Sequence, residues 1–448
     1  MYKLKRSLTL FDAVMINLGA IIGAGIFVII GLAVADAGPA IVVSIIIAAI
    51  VSTLSGLSFS EIALHIAKEG GVYEYAKEAL APSAGFIAGW MWTIGNIIAM
   101  AAVGLSMGSY LNQLLGTSIP DVYYGIFAIL AFMIVNLMGI KHSARTISVM
   151  VGINIIVLML FVVFSIMHFN ISNIGNFAPN GTTGILGGAA LIFFAFTGFS
   201  RVTTVSDEVK NPREIIPKAI IASIIISSLL YISIALGAVG LVPYQQFAHS
   251  SAPLSYAINT LHIGILSVLI AIGGVVATAG VISTGILGVS RVFFAMGRDN
   301  EIPKELSYID RFSTPLYSIV VSAVLAILFI LLVPFKSIVE LSNAGILTAY
   351  AIINLSALNL WQKLEKNRKT LLRHDMFFII PVLGFISVIW TMLYLGIDSL
   401  SIAFAIFVIG VLYYEYRNSM LMKGIEKYVR KEVPMHSIVR EFGRSRKA

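Results

Sequence analysis

The feature that most constrains this chain is its series of apolar runs, each long enough to cross a lipid bilayer as a helix. About 20 predominantly apolar residues, rising about 1.5 Å each, span the hydrocarbon core. Such runs lie near 10–35, 39–66, 84–114, 121–140, 145–168, 183–206, 217–241, 263–297, 315–335, 338–361, 376–397 and 399–417. Several exceed a minimal span, which predicts tilted helices or protruding ends. The expected fold class is all-α and integral to the membrane, with about twelve transmembrane helices.

Composition supports the same class. Hydrophobic residues make up 58% of the 448 positions and charged residues 12%, and the mean hydropathy is +0.94. A soluble domain carries roughly 25% charged residues, so there is too little polar surface here to cover a water-soluble particle. The excess apolar area must face lipid, and the bilayer is the first expected partner. A net charge of +8 would suggest nucleic acid in a soluble protein. Here the cations sit at the ends of apolar runs, and no nucleic-acid partner is expected. The absence of cysteine excludes disulfides and thiolate metal sites, and no cofactor or metal is expected. The basic Met1–Arg6 segment leads straight into the first run and reads as a cytoplasmic lead-in.

The cations also orient the spans. With the N-terminus inside, the inner segments collect Lys3, Lys5 and Arg6; Lys68 and Lys77; Lys141 and Arg145; and Lys210, Arg213 and Lys218. They also collect Arg298, Lys304, Arg311, the basic cluster at 363–373 and the tail, with Arg201 and Arg291 in the inner halves of their spans. Of the 30 Lys and Arg, only Lys336 falls outside. Excess cations mark the cytoplasmic side. The expectation is a multi-pass cell-membrane protein with both termini cytoplasmic: one transport domain over 1–417 and a basic tail over 418–448. That tail reads as a solvated segment obeying the charge rule. The sequons at Asn170 and Asn180 fall in an outer loop.

Two spans carry small residues near mid-depth. The first contains Gly19-Ala-Ile-Ile-Gly23-Ala24-Gly25-Ile26-Phe27, and the sixth contains Phe193-Phe194-Ala195-Phe196-Thr197-Gly198-Phe199-Ser200. Glycine costs about 1 kcal/mol against alanine inside a helix, so a cluster marks a weak point. Unwound backbone survives in a membrane only where it faces protein or a wet cavity. A break exposes N–H groups that attract a carboxylate and carbonyls that attract an ammonium. An α-amino acid carries both charges on one carbon. The competing reading is that small residues simply let helices pack closely. Breaks in spans one and six, the corresponding places of two five-span halves, are the expected mark of an inverted-repeat transporter. The halves are 10–168 and 183–361, with extra helices over 376–417.

Five segments resemble the amino acid–polyamine–organocation superfamily of permeases over nearly the whole chain. They are Ile22-Gly-Ala-Gly-Ile-Phe27; Glu61 through Lys68-Glu-Gly-Gly-Val-Tyr-Glu-Tyr75; Phe193 to Phe199 followed by Asp207-Glu-Val-Lys-Asn-Pro212; Met296-Gly-Arg-Asp-Asn-Glu-Ile-Pro303; and Leu341-Ser-Asn-Ala-Gly345. The resemblance implies two inverted five-helix repeats with helices one and six broken, and an amino acid held between the breaks. It implies that the N–H groups of Ala24 and Gly25, in the turn that includes Gly23, hold the carboxylate. The carbonyls of Ile21, Phe194 and Thr197 would hold the ammonium. Phe194 stands where relatives place an aromatic gate, and Asn96 where antiporter-type relatives place a substrate-facing asparagine. For Asn96 an interhelical hydrogen bond is the alternative.

The chain departs from that pattern in two places. Proton-coupled relatives often carry a lysine on span five where this chain has Asn154, and an amide cannot titrate. Other coupling candidates are Glu61 and Asp12. Many relatives place an acid directly after Thr-Gly-Phe of span six, where this chain has Ser200 and then Arg201. Losing that acid weakens the case for a polyamine or other organocation as substrate. Arg201 is a functional candidate because a guanidinium deep in a span is expensive; the alternative is that it snorkels or pairs with Asp207 or Glu208. No His-Glu-x-x-His or filter loop is present, which argues against an intramembrane metalloenzyme or a channel.

Overall fold

The computed structural model describes residues 6–332, 335–363 and 374–432. Lys3, Lys5, the 363–373 cluster beyond Lys363, and the tail beyond Glu432 lie outside the described residues. Within them every regular element is helical: α1 (Leu10–Ile21), α2 (Ile30–Ala37), α3 (Ile41–His65), α4 (Val72–Ala79), α5 (Pro82–Leu115), α6 (Asp121–Leu137), α7 (Ile140–Met167), α8 (Gly181–Ile192), α9 (Pro212–Leu241), α10 (Tyr244–Ala248), α11 (Pro253–Asn259), α12 (Gly264–Arg298), α13 (Leu316–Leu332), α14 (Phe335–Lys363), α15 (His374–Met392) and α16 (Ile397–Glu432). Extended pairing among the described residues is confined to isolated bridges, Leu8 with Val209 and Ile309 with Pro315.

Eight helical stretches are long and apolar enough to cross a membrane, and Asp121–Leu137, Leu316–Leu332 and Phe378–Met392 are shorter apolar helices. The first long stretch, Leu10–His65, contains α1, α2 and α3. Large apolar side chains face outward from many helices; Phe127 is 69% exposed, Leu229 65% and Ile265 75%. So many bare apolar groups suit hydrocarbon, not water. The short helices α4, α10 and α11 fall between apolar runs and have no counterpart in them. The last helix also overruns its apolar run: α16 continues to Glu432, so the first part of the expected tail is helix.

Local chemistry explains the entry into the bundle. Thr9 and Asp12 form a capping box: Thr9 N–H donates to Asp12 Oδ2 at 2.8 Å and Asp12 N–H donates to Thr9 Oγ1 at 3.3 Å. Each thereby satisfies a donor that the first helical turn leaves open. Asp12 is thus a helix cap, bonded to Thr9 in both directions. Just before it, the N–H groups of Ser7 and Leu8 donate to the Glu208 carbonyl at 2.9 and 3.0 Å, and Lys210 N–H donates to Leu8 O at 2.9 Å. The start of the chain is therefore strapped to the end of span six. At the same end, Gly70 and Gly71 have φ of +106° and +46°. A Cβ on Gly71 would lie 2.4 Å from Thr203 Oγ1, and one on Gly70 2.6 Å from the Ala295 Cβ. Only glycine fits both the space and the backbone angle there. This turn packs the residues after α3 against span six and α12.

Candidate functional site

The interruption in span one is real. Helix α1 ends at Ile21, and Ile22 is extended with φ −77° and ψ 94°. The chain restarts as a wide π-helical turn, Gly25–Ile29, entered at Ala24 without a side-chain cap, and runs on into α2. The first N–H groups of a helical arm lack intrahelical acceptors and carry partial positive charge. Ala24 and Gly25 stand at that start, and all of Ile21 through Phe27 are buried.

Span six differs from the expected unwound break. After α8 ends at Ile192, residues Phe193–Glu208 wind as a 3₁₀ helix of 16 residues, with a non-helical angle at Val205. Runs of this kind longer than three or four residues are uncommon. Hydroxyls reinforce the tighter turn by bonding three residues back. Thr197 donates to Phe194 O at 2.9 Å, Thr203 to Ser200 O at 2.7 Å, Thr204 to Arg201 O at 2.8 Å and Ser206 to Thr203 O at 2.7 Å. Asn17 on α1 adds an acceptor for Val202 N–H at 2.9 Å. At the start of this segment Asn343 of the Leu341–Gly345 motif donates to Ala190 O at 2.9 Å.

The two spans touch backbone to backbone, so the glycines also serve close packing. A Cβ on Gly25 would lie 2.4 Å from Ala195 Cα, and one on Gly198 2.4 Å from the Ala20 carbonyl carbon. Gly23 abuts α12, where a Cβ would meet Val281 Cγ2 at 2.1 Å.

Tyrosine hydroxyls, which the sequence reading missed, hold this junction. Tyr231 on α9 donates to Ile21 O at 2.7 Å, with Ala195 O at 3.3 Å, so one hydroxyl bridges both spans. Tyr350 on α14 donates to Thr197 O at 2.6 Å and lies 2.9 Å from Ser200 Oγ. Tyr110 on α5 donates to Phe27 O at 2.6 Å. The carbonyls of Ile21, Phe194 and Thr197, expected to hold an ammonium, thus each accept a hydroxyl here. The available signal was a tyrosine inside an apolar run, whose hydroxyl must find a partner when buried.

The remaining candidates separate. Phe194 is buried beside the junction at 6% exposure. Asn96 donates to Trp92 O at 2.8 Å and accepts from Arg201 Nη2 at 2.6 Å, the interhelical bond that was the alternative reading. Arg201 neither snorkels nor pairs with Asp207 or Glu208; it is buried at 4% exposure with its guanidinium 4.9 Å from the Trp92 ring centre. Asn154 is buried, and its Oδ1 has no hydrogen-bond partner. Glu61 is buried on α3 with His65 Nε2 3.6 Å from its carboxylate.

A buried charge cluster lies at the end where the chain begins. Arg291 Nε donates to Glu208 Oε1 at 3.2 Å, and Glu69 Oε1 is 3.9 Å away from the same nitrogen. All three side chains are fully buried. Burial, then the Glu208 charge, push the Glu69 carboxyl well above the usual carboxylate range, against the pull of Arg291. Around it, Glu74 pairs with Arg298 at 2.6 Å and Lys77 with Asp299. Burial acts to raise Asp299, but the bonds from Lys77 and Tyr73 outweigh it and hold that carboxyl low. At the opposite end a cavity of about 400 Å³ reaches down to Val28 and Leu32 beside the π-helical turn.

A bundle of apolar helices, with one interrupted helix pressed on a second, overwound one, is the build of a membrane transporter. Residues 12–418 match the amino acid permease family, and the chain belongs to that family. It is a multi-pass membrane protein that transports amino acids, and not an enzyme. The chain is 32% identical over 380 residues to the branched-chain amino acid permease BcaP of Bacillus subtilis, covering 80% of this chain and 82% of the relative. It is 28% identical over 442 residues to the Lactococcus lactis protein of the same name, covering 92% and 94%. It is 29% identical over 442 residues to a Bacillus subtilis methylthioribose transporter, covering 94% and 95%.

Proposed function

We propose that this chain is a secondary transporter that moves aliphatic amino acids across the cell membrane by alternating access, with the zwitterion held at the junction of spans one and six. The observation that carries this reading is the break at Ile22–Ala24, whose second arm begins uncapped against span six. In this reading the N–H groups of Ala24 and Gly25, in the turn with Gly23, take the carboxylate. The carbonyls of Ile21, Phe194 and Thr197 take the ammonium, which replaces the hydroxyls of Tyr231 and Tyr350 on two of them. Phe194 covers the substrate.

Counting α1–α2 and α3 as separate crossings, together with the three shorter helices, gives twelve spans in two inverted five-helix repeats (10–168 and 183–361) plus α15 and α16. Residues 1–417 form one transport domain, 418–448 the basic cytoplasmic tail, and both termini are cytoplasmic. The aliphatic preference is drawn from the branched-chain permeases among the relatives and from Ser200 standing where an acid would serve a cation. Arg201 beside Asn96 adds positive charge near the junction and disfavours a polyamine. Because Asn154 cannot titrate, transport is by exchange or facilitated flux, or uses a proton site other than span five, for which Glu61 is the candidate.

Counterflow in proteoliposomes tests this: labelled leucine or valine should accumulate against trapped unlabelled substrate, and excess putrescine should not compete. No counterflow of any neutral amino acid by well-folded protein would overturn the assignment.

A further inference from the structure

We propose that Arg201 is the seat of a monovalent anion, a carboxylate or a halide, bound in the membrane interior beside the substrate junction. The proposal deepens the transport reading above and rests on it.

Among the described residues two arginines, Arg201 and Arg291, lie buried in the helical core and have opposite surroundings. Arg291, fully buried, has two carboxylates about it, Glu208 and Glu69. Arg201, 4% exposed, has no carboxylate within ion-pairing distance among the described residues; Glu208 is held by Arg291. Its one hydrogen-bond acceptor is the neutral Asn96 Oδ1, 2.6 Å from Nη2. The N–H on Nε and both on Nη1 have no acceptor. An uncompensated charge in a low-dielectric interior is strongly unfavourable, and intramembrane charges are ordinarily paired or face a pathway.

The surroundings hold the guanidinium in place without neutralising it. The Trp92 ring lies 4.9 Å from the guanidinium carbon, an attraction to the cation that adds no formal charge. Gly288 on α12 leaves the niche for the arm, since a Cβ there would lie 2.5 Å from both Cδ and Nη1. The other neighbours on its own turn and across from it, Ser200 and Tyr350, are neutral and bonded to each other at 2.9 Å. The result is a fixed, desolvated cation with open donors, one turn along span six from Thr197. Charge-assisted bonds from such donors favour a carboxylate oxygen or a small halide. Two sources share this chemistry: the side-chain carboxylate of a free acidic amino acid that binds as an anion and is not the transported aliphatic substrate, or inorganic chloride.

Thermal unfolding of the purified full-length protein separates them. Replacing chloride with methanesulfonate, which is neither a halide nor a carboxylate, lowers the melting temperature if chloride occupies the site. Adding glutamate or aspartate in methanesulfonate raises it if the ligand is a side-chain carboxylate. Either shift should disappear in Arg201→Gln and persist in Arg201→Lys. No shift of the wild type with either anion overturns the proposal, as does an equal shift in Arg201→Gln. If Arg201→Gln does not fold, leucine counterflow by the wild type decides: a several-fold change on removing chloride or adding excess glutamate supports the site, and an unchanged rate overturns it. Stabilisation by leucine in the same assay reports on the transport reading separately.

Discussion

Gly25 and Ala195 meet backbone to backbone: a Cβ built on Gly25 would lie 2.4 Å from the Cα of Ala195. Backbone cannot swing aside as the end of a flexible side chain can. Gly25→Val therefore has to push the two spans apart, at a cost on the order of 1–3 kcal/mol or more for an overpacked core site. It also fills the space that a carboxylate would need. We expect membrane insertion to continue and uptake to be lost. Normal uptake by a well-expressed Gly25→Val protein would show that the junction is not where substrate binds.

Tyr231→Phe removes the one hydroxyl that bridges spans one and six, leaving Ile21 O and Ala195 O without it. A buried acceptor stripped of its partner costs roughly 1–3 kcal/mol. The melting temperature should fall, and the leucine KM should change more than the maximal rate, because Ile21 O is also an ammonium candidate. An unchanged melting temperature and KM would remove Tyr231 from the site.

Orientation is testable because the chain has no cysteine. Ser251 and Lys304 are both exposed and lie at opposite ends of the bundle. Single cysteines at these positions should label from opposite sides, with Ser251→Cys reached by an impermeant reagent on intact cells. Labelling of both from outside would reject the assignment of the termini to the cytoplasm.

The Glu69 cluster predicts a pH response from the end where the chain begins. Glu69 is raised by burial and by Glu208, with Asp207 acting in the same direction and Arg291 and Arg298 opposing. A carboxyl raised in this buried arrangement binds its proton more tightly there than when it is solvated. The buried arrangement is therefore stabilised at low pH and loses that stabilisation as pH rises through the raised value. Counterflow should quicken as the pH on the Glu69 side rises, where opening limits the rate. Glu69→Gln, which stays neutral, should flatten the profile. A profile identical to wild type would show that Glu69 does not titrate in the cycle.

Much of the fold was legible because hydropathy is local. Within the described residues each apolar run became mostly helix, and the break after Ile21 followed from glycines that weaken helix wherever they cluster. Span six was read less well. Its small residues signalled weakness, but the hydroxyls of Thr197, Thr203, Thr204 and Ser206 turned that weakness into overwinding. The Glu69-Gly70-Gly71 motif was visible as a string, while its role in packing the chain against Thr203 and Ala295 was not.

The sequence by itself determined the solvent of this protein, its helical class, the position of its first break and its family, since each depends on residues near one another in the chain or on motifs in order. The tertiary structure alone decided which carbonyls are held and which charges are paired. Tyr231 meets Ile21 across 210 positions, and Arg201 meets Asn96 across 105. Electrostatic and hydrogen-bond energies depend on separation in space and on burial, so Arg291 became a neutralised strut and Arg201 an open cation although both are arginines within apolar spans.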